Sequence, residues 1–398
     1  MDAVVYYILA GGNGQRLKPL TNDYPKPLLP FGGSGRIIDF TIYNTLLAGG
    51  GDCVVLTQYL ADKFDTCLDG TWKTAFQAQR RRLSVMPSYQ SPKGTYEGTA
   101  DAVYQAIIGR RYLPDYVVVL AGDHVYRMDY RPMLKFHAAR GAAATVAAIE
   151  CDAAEAHRFG VIDPRTDGSI ENFYEKPRTL DGVVSPGQQP LVSMGIYVFS
   201  TRPLLAYLTE NQSQSSHDFG KDILPALAEH GDAWVYRFRE NGDRPGYWRD
   251  IGELHTYLKG NMDLLHLKHL RFGPLPGGAS SPFSTSKIVK ECVLDSTRIM
   301  NSIITSPAFI GGALVEDCIV GPRVEIHDGA VIRRSVILEG AVVRKHAHFE
   351  DAVIGPGIEL FPPNSKRSQA QTRSENTARC ECRHSNLDTQ RQRVVHRS

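Results

Sequence analysis

Up to about Leu270, short apolar runs alternate with stretches whose apolar residues recur at helical spacing. Val4–Leu9, Cys53–Thr57, Tyr116–Ala121, Ala144–Ile149, Gly195–Phe199 and Ala233–Phe238 have the length and composition of buried strands. Between the first two, Ile38, Ile42, Thr45 and Leu46 share one helical face, and Gly49-Gly50-Gly51 closes the segment. A later helical pattern, Glu253 to His266, sets Leu254, Tyr257, Leu258, Met262 and Leu265 in register. The alternation predicts an α/β domain over residues 1–270 with a mainly parallel, mixed sheet. Ligands of such sheets gather beyond the carboxyl ends of the strands.

The pattern changes at Phe272. Gly273-Pro274-Leu275-Pro276-Gly277-Gly278 marks a linker, placed at 271–287. Beyond it the helical period gives way to a comb of six: Val324, Ala330, Val336, Val342, His348 and Ile354. Val331, Ile337, Val343 and Phe349 repeat it one residue later. With Gly321, Gly329, Gly340 and Gly355 at turns, this predicts a left-handed parallel β-helix over 288–362. A sandwich of short strands is the alternative, but it gives no reason for a double comb. From 363 to 398 the chain is rich in Arg, Ser, Gln and Thr, and a disordered tail is expected. Cys380, Cys382 and His384 lack the second half of a metal site, so a solvated tail is the simpler reading.

Composition adds exclusions. The 398 residues carry a formal net charge of +2 with acids and bases interspersed, so nucleic acid is not an expected partner. The seven cysteines are scattered without a C-x-x-C pair, and no basic segment leads into the first apolar run. A secreted disulfide framework is therefore not expected. No apolar stretch approaches the roughly 20 residues that span a bilayer. The expectation is a soluble cytoplasmic protein with no membrane partner.

Candidate chemistry falls where the predicted strands end. The first strand runs into Ala10-Gly11-Gly12-Asn13-Gly14, followed by Arg16, Lys18 and Lys26. A glycine turn there frees N–H groups for a phosphate, and nearby cations offset its charge. It is not a P-loop, because no Lys-Ser or Lys-Thr follows at the required spacing. Nor is it a dinucleotide fingerprint, since Leu17 stands where a third glycine belongs. In Tyr96-Glu97-Gly98-Thr99-Ala100, Thr99 is placed to cap a helix starting at Ala100 and leave N–H groups for a ligand. Asp123, after Gly122, and Asp250, in Tyr247-Trp248-Arg249-Asp250, suit one divided Mg²⁺ site. Mg²⁺ takes one or two carboxylates and leaves its remaining positions to phosphates and water. Glu175 and Lys176, adjacent in a strand, face opposite ways, so a backbone bend or the following Pro177 is needed for both to serve one ligand. No Ser-His or Cys-His motif suggests a protein nucleophile.

The string G-G-x-G-x-R-L-x-P-L-T, with Pro25-Lys26-Pro27, closely resembles the nucleotide loop of sugar-1-phosphate nucleotidyltransferases. Gly98-Thr99-Ala100-Asp101-Ala102-Val103, Asp123-His124 with Tyr126, Ser193-Met194-Gly195-Ile196-Tyr197 and Ser216-His217-Asp218-Phe219-Gly220-Lys221-Asp222 follow in order. Together they resemble the adenylyl branch, the glucose-1-phosphate adenylyltransferases, from Val4 to about Leu265. The resemblance implies a Rossmann-like catalytic domain followed by a left-handed β-helix. It also implies synthesis of ADP-glucose and pyrophosphate from ATP and glucose 1-phosphate, with Mg²⁺, for glycogen or α-glucan formation. By residue, it puts Tyr96, Gly160, Glu175, Lys176 and Ser193 on glucose 1-phosphate, with Tyr197 and Asp218 as secondary sugar-side residues. It puts Gly11, Gly12, Arg16, Lys26 and Gln58 on ATP, with Gly98 and Thr99 near the base. Arg16, Lys26, Asp123 and Asp250 become the catalytic set, and the two aspartates the metal ligands.

A homotetramer, or a hetero-oligomer with a homologous subunit, is implied as well, with a small-molecule effector near the domain junction. Arg36 is the basic residue placed on that effector. Asp23, Tyr24, Pro30 and Ser91 depart from the pattern of members regulated by fructose 1,6-bisphosphate and AMP, so that regulation is not expected to carry over. A UTP, dTTP or GTP enzyme of the same fold stays open. So does a non-catalytic regulatory subunit, although such a chain should have lost phosphate- or metal-binding residues, and Arg16, Lys26, Asp123, Lys176 and Asp250 are all present.

Overall fold

The apolar run at the start of the chain forms β1 (Val4–Ala10), which is buried on both faces and so shows no alternation. Its parallel neighbours are β2 (Gly51–Thr57), which carries β3 (Leu83–Pro87) in parallel beyond it, and β4 (Tyr116–Ala121). Five further strands complete a nine-stranded sheet: β5 (Ala144–Glu150), β6 (Gly160–Pro164), β7 (Ile170–Glu175), β8 (Leu191–Ser200) and β9 (Ala233–Arg237). The order is β7-β6-β8-β4-β1-β2-β3, with β5 also on β8 and β9 on β5. β8 runs antiparallel to β4, β5 and β6, and β7 antiparallel to β6, which makes the sheet mixed. Val5 and Tyr7 of β1 and Val117 and Val119 of β4 point into one core with Val103 and Ile107, and Leu204 and Leu208 join it.

This computed structural model describes residues 3–184, 188–213, 216–240, 244–270, 272–362 and 394–395. The expected tail lies outside them apart from Val394–Val395, which pairs in parallel with Val353–Ile354. Cys380, Cys382 and His384 lie outside as well. Among the described residues no helix is long and apolar enough to cross a membrane.

The chain divides into two compact units: the chain up to Gly12 with Phe40–Trp248, and Asn13–Asp39 with the chain from Arg249. The sheet belongs to the first. So do most of α1 (Ile37–Ala48), the helix expected from the Ile38/Ile42/Leu46 face, and α2 (Thr99–Ile108).

In the second unit, α3 (Leu254–His266) starts with a reciprocal cap between Glu253 and Thr256. The segment around Pro30–Arg36 rests on this helix. Tyr257 donates its hydroxyl to the Pro30 carbonyl, its ring meets Phe31 edge-on at 5.8 Å, and Asn261 accepts from the Gly32 amide at 2.9 Å. Farther along the chain, Ser286–Leu294 (β10) and Thr297–Thr305 (β11) form an antiparallel hairpin. β11 then starts a stack of short parallel strands, a parallel β-helix with an apolar interior.

The comb of six needs correction. Leu314 pairs with Val331 and Val331 with His348, while Ile326 pairs with Val343 and Val343 with Leu360, so each of these coils returns after 17 residues. That is one residue short of three full hexapeptides. The inward row therefore steps by fives and sixes through Val315, Val320, Ile326, Ile332, Ile337, Val343, the partly buried Phe349, Ile354 and Leu360. His348, expected inside, is exposed, and Val342 is half-buried.

Candidate active site

A cavity of about 490 Å³ in the first unit opens where β1, β2 and β4 end at their carboxyl sides. Gly11 and Gly12 reach it from β1, Gln58 from β2, and Asp123 and His124 from the turn after β4. Tyr96, Gly98 and Thr99 supply a second wall, and Glu175, Lys176, Tyr197 and Asp218 a third. Most residues assigned to the two substrates in this unit thus share one space.

On the nucleotide side, a Cβ added at Gly12 would meet nothing within 4 Å, so the protein itself has room there. Gln58 braces the second wall. Its Oε1 accepts from the Tyr96 amide at 2.7 Å and the Thr95 hydroxyl at 3.3 Å, and its Nε2 donates to the Tyr96 carbonyl at 3.4 Å. Gly98 has a steric reason to be glycine, since a Cβ would lie 2.2 Å from the His217 carbonyl oxygen. Thr99 is not the cap of α2 but its first residue, and Gly98 holds the cap position. The Thr99 hydroxyl instead ties two segments together, donating to Asp218 at 3.1 Å and accepting from the Phe219 amide at 3.0 Å. One amide expected for a ligand is committed as well, because Ala100 donates to the His217 carbonyl at 2.8 Å. The side chain overrides its cap preference because the 217–219 segment offers partners that sequence spacing does not reveal.

On the sugar-phosphate side, the required bend lies at Lys176, whose φ is +48°. Both side chains of the Glu175-Lys176 pair reach the cavity, with Lys176 Nζ 2.6 Å from Glu175 Oε1. Two glycines make room for that carboxylate. A Cβ at Gly160 would sit 3.2 Å from Glu175 Oε2 and 2.4 Å from the Phe173 ring, and one at Gly220 would sit 2.4 Å from Oε2. Gly160 thus seats Glu175, and the only signal for Gly220 was its place in the Asp218-Phe219-Gly220-Lys221 string. Asp218 caps the turn that follows, accepting from the Gly220 amide at 2.9 Å and the Lys221 amide at 3.2 Å. Ser193 is buried, accepts from the Gly195 amide at 3.2 Å and donates to the Tyr197 hydroxyl at 3.4 Å. Burial pushes the Tyr96 and Tyr197 phenols well above their usual range, with nearby carboxylates adding to it. Both rings therefore act as neutral hydrogen-bonding groups.

In the second unit, Gly14 takes φ +60° with Lys26 and Thr21 at 3.0 Å from where its Cβ would be, which accounts for that glycine by conformation and packing. Arg16 lies on an exposed turn, its Nη1 3.5 Å from Glu253 Oε1. Lys26 is buried, its Nζ 3.2 Å from Asp250 Oδ1. Arg36 lies opposite Pro30 in a two-stranded ladder, and its amide donates to Asp39 at 2.7 Å. Sequence reasoning gave no role to His124, Glu97 or Gly195, all of which line the cavity. His124 stood beside a chosen aspartate, which was a usable signal.

Residues 6–266 match the family model described as nucleotidyl transferase, and residues 284–365 match a GlmU-like C-terminal hexapeptide model. The second match agrees with the coil and makes it a left-handed hexapeptide β-helix. A Rhodopirellula baltica protein named glucose-1-phosphate adenylyltransferase is 37% identical over 375 residues, covering 91% of this chain and 84% of that protein. A Yersinia pseudotuberculosis protein of the same name is 36% identical over 352 residues, covering 85% of this chain and 82% of its own. One from Yersinia pestis is 36% identical over 352 residues, covering 85% and 74%. With its sheet, its strand-end cavity and these matches, the chain belongs to the nucleotidyl transferase family, among the glucose-1-phosphate adenylyltransferases.

Proposed function

We propose that this chain joins ATP and α-D-glucose 1-phosphate into ADP-glucose and pyrophosphate, supplying a glucosyl donor for glycogen or α-glucan synthesis. The observation that carries the reading is one cavity lined by the Gly11-Gly12 turn and by the Glu175-Lys176 corner. A phosphate-accepting turn and an adjacent carboxylate–ammonium pair are what a nucleotide and a sugar phosphate require of a shared space.

A phosphate oxygen of glucose 1-phosphate attacks the α-phosphorus of ATP in line. The new P–O bond forms as the bond to pyrophosphate breaks, so no protein nucleophile is needed. Catalysis rests on positioning and charge neutralisation. In this reading Lys176 holds the sugar phosphate, Glu175 accepts from sugar hydroxyls, and Arg16 and Lys26 hold the triphosphate. Mg²⁺ suits the Asp123 carboxylate, whose hard oxygens lie on the cavity wall. Asp250 is the proposed second carboxylate. Bound there, the ion supplies neutralisation of phosphate charge.

The same reading extends to a cytoplasmic homotetramer, with Arg36 on a small-molecule effector. It is tested by pyrophosphate release from glucose 1-phosphate with ATP, UTP, dTTP and GTP in parallel. ATP should be preferred strongly. No release with ATP, or equal rates with another nucleotide, would overturn the proposal.

A further inference from the structure

His124 is held more firmly than a cavity-lining side chain requires. Its Nδ1 lies 3.0 Å from the Met194 carbonyl oxygen. A carbonyl can only accept, so Nδ1 carries the hydrogen. The Trp248 indole N–H approaches the same nitrogen from 3.3 Å and would donate to it in the other tautomer, so the assignment follows the shorter Met194 contact; its ring stands edge-on to the imidazole at 5.2 Å and 89°.

The backbone is shaped for this contact. The register of β8 against β5 slips between Ser193 and Tyr197, and Gly195 inside that slip takes φ +66°. A Cβ at Gly195 would come 3.2 Å from His124 Cε1. Irregularities of this kind re-aim groups beside active sites, and this one presents the Met194 carbonyl to the ring.

In the neutral ring with Nδ1 donating, Nε2 offers its lone pair, and it lies 3.5 Å from Asp123 Oδ1. Held at that separation, the nitrogen and the carboxylate oxygen can share a cation, either a proton on Nε2 or a divalent metal. A cation about 2.1 Å from each would see them roughly 110° apart, within the range of metal sites. Metal-ligating histidines characteristically donate their other ring N–H to a backbone carbonyl or a carboxylate.

We propose that His124 Nε2 is a nitrogen ligand of the divalent-metal site that contains Asp123, so that the site binds Co²⁺ in preference to Mg²⁺. The proposal rests on the reading of Asp123 as a metal ligand. Imidazole favours later first-row metals, whereas Mg²⁺ favours oxygen.

Full-length protein is titrated with Co²⁺ and with Mg²⁺, with and without ATP, following tryptophan fluorescence and Co²⁺ visible absorption. His124→Asn keeps an N–H near the Met194 carbonyl but removes the Nε2 position. It should weaken Co²⁺ binding roughly 10–100-fold and change Mg²⁺ binding much less. Pulsed EPR of Mn²⁺ in the unmutated protein should show imidazole nitrogen coupling, a readout independent of how any variant folds. Absence of that coupling, or Co²⁺ affinity and spectrum unchanged in His124→Asn, overturns the proposal. His124-dependent Co²⁺ binding in a protein that releases no pyrophosphate from ATP and glucose 1-phosphate would leave the ligand standing and sink the functional reading. An active enzyme whose Co²⁺ affinity ignores His124 would do the reverse.

Discussion

Replacing Lys176 isolates the sugar-phosphate contact. The residue follows the end of β7, and its left-handed backbone, φ +48°, accompanies a side chain that lines the cavity beside Glu175. The ion pair at 2.6 Å joins a lysine that is 63% exposed to a glutamate that is 17% exposed. A pair with one end that wet adds on the order of 0–1 kcal/mol to stability, so Lys176→Ala should fold normally. A charge-assisted bond to a bound phosphate is a different matter, contributing roughly 1.5–3 kcal/mol. Its loss should raise KM for glucose 1-phosphate about 10- to 150-fold and leave KM for ATP nearly unchanged. Lys176→Gly removes the same charge and relieves about 1 kcal/mol of left-handed strain. It should melt higher than the alanine variant without recovering KM. Steady-state kinetics, each substrate varied while the other saturates, read the first effect, and thermal melts read the second. An equal rise in both KM values would move Lys176 to the nucleotide side or to the scaffold, and an unchanged KM for glucose 1-phosphate would refute the contact.

Asp123→Asn should lower kcat by on the order of 10² or more with an unchanged circular dichroism spectrum, and near-normal turnover at ordinary Mg²⁺ would mean the metal role is misplaced. Lys26 and Asp250 form a pair with side chains only 10% and 16% exposed. Lys26→Met should therefore cost about 3–5 kcal/mol of stability, partly restored without activity by adding Asp250→Asn, and a single variant as stable as the parent would contradict this. Burial pushes His137, bonded to Thr145 and Ser200, from its ordinary 6.5 down to about 4. The unfolded chain then takes up the proton first, so this contribution is fully present above about pH 6.5 and lost toward pH 4, by about 3 kcal/mol. Denaturant unfolding of His137→Gln should show a flatter profile across that window, and an unchanged profile would remove His137 as its source. Arg36→Ala should alter effector titrations while leaving unstimulated kcat in place, and Asp23, Tyr24 and Pro30 lead us to expect little response to fructose 1,6-bisphosphate. Strong activation by that compound in the purified chain would show that those substitutions carry no such meaning.

The sequence by itself determined the central strands and the loops that follow them. β1 and β4 are covered on both faces, so burial alone writes them as unbroken apolar runs, and the glycines and aspartates that end them mark the edge where ligands gather. It did not disclose β3 or β6, and it touched β7 only at the Glu175-Lys176 pair, because half-buried and exposed positions break the apolar signal of all three. Tertiary structure alone decided why Gly98, Gly160 and Gly220 are glycines, because the atoms a side chain would strike belong to other segments of the chain. It also decided that Thr99 bonds to Asp218 and Phe219 rather than capping its helix, and that His124 is clamped between Met194 and Trp248. The β-helix divides the same way. Its existence was legible from apolar periodicity, which burial imposes locally. Its coil of 17 residues was not, because the residue dropped from each turn is fixed by how successive strands stack in space.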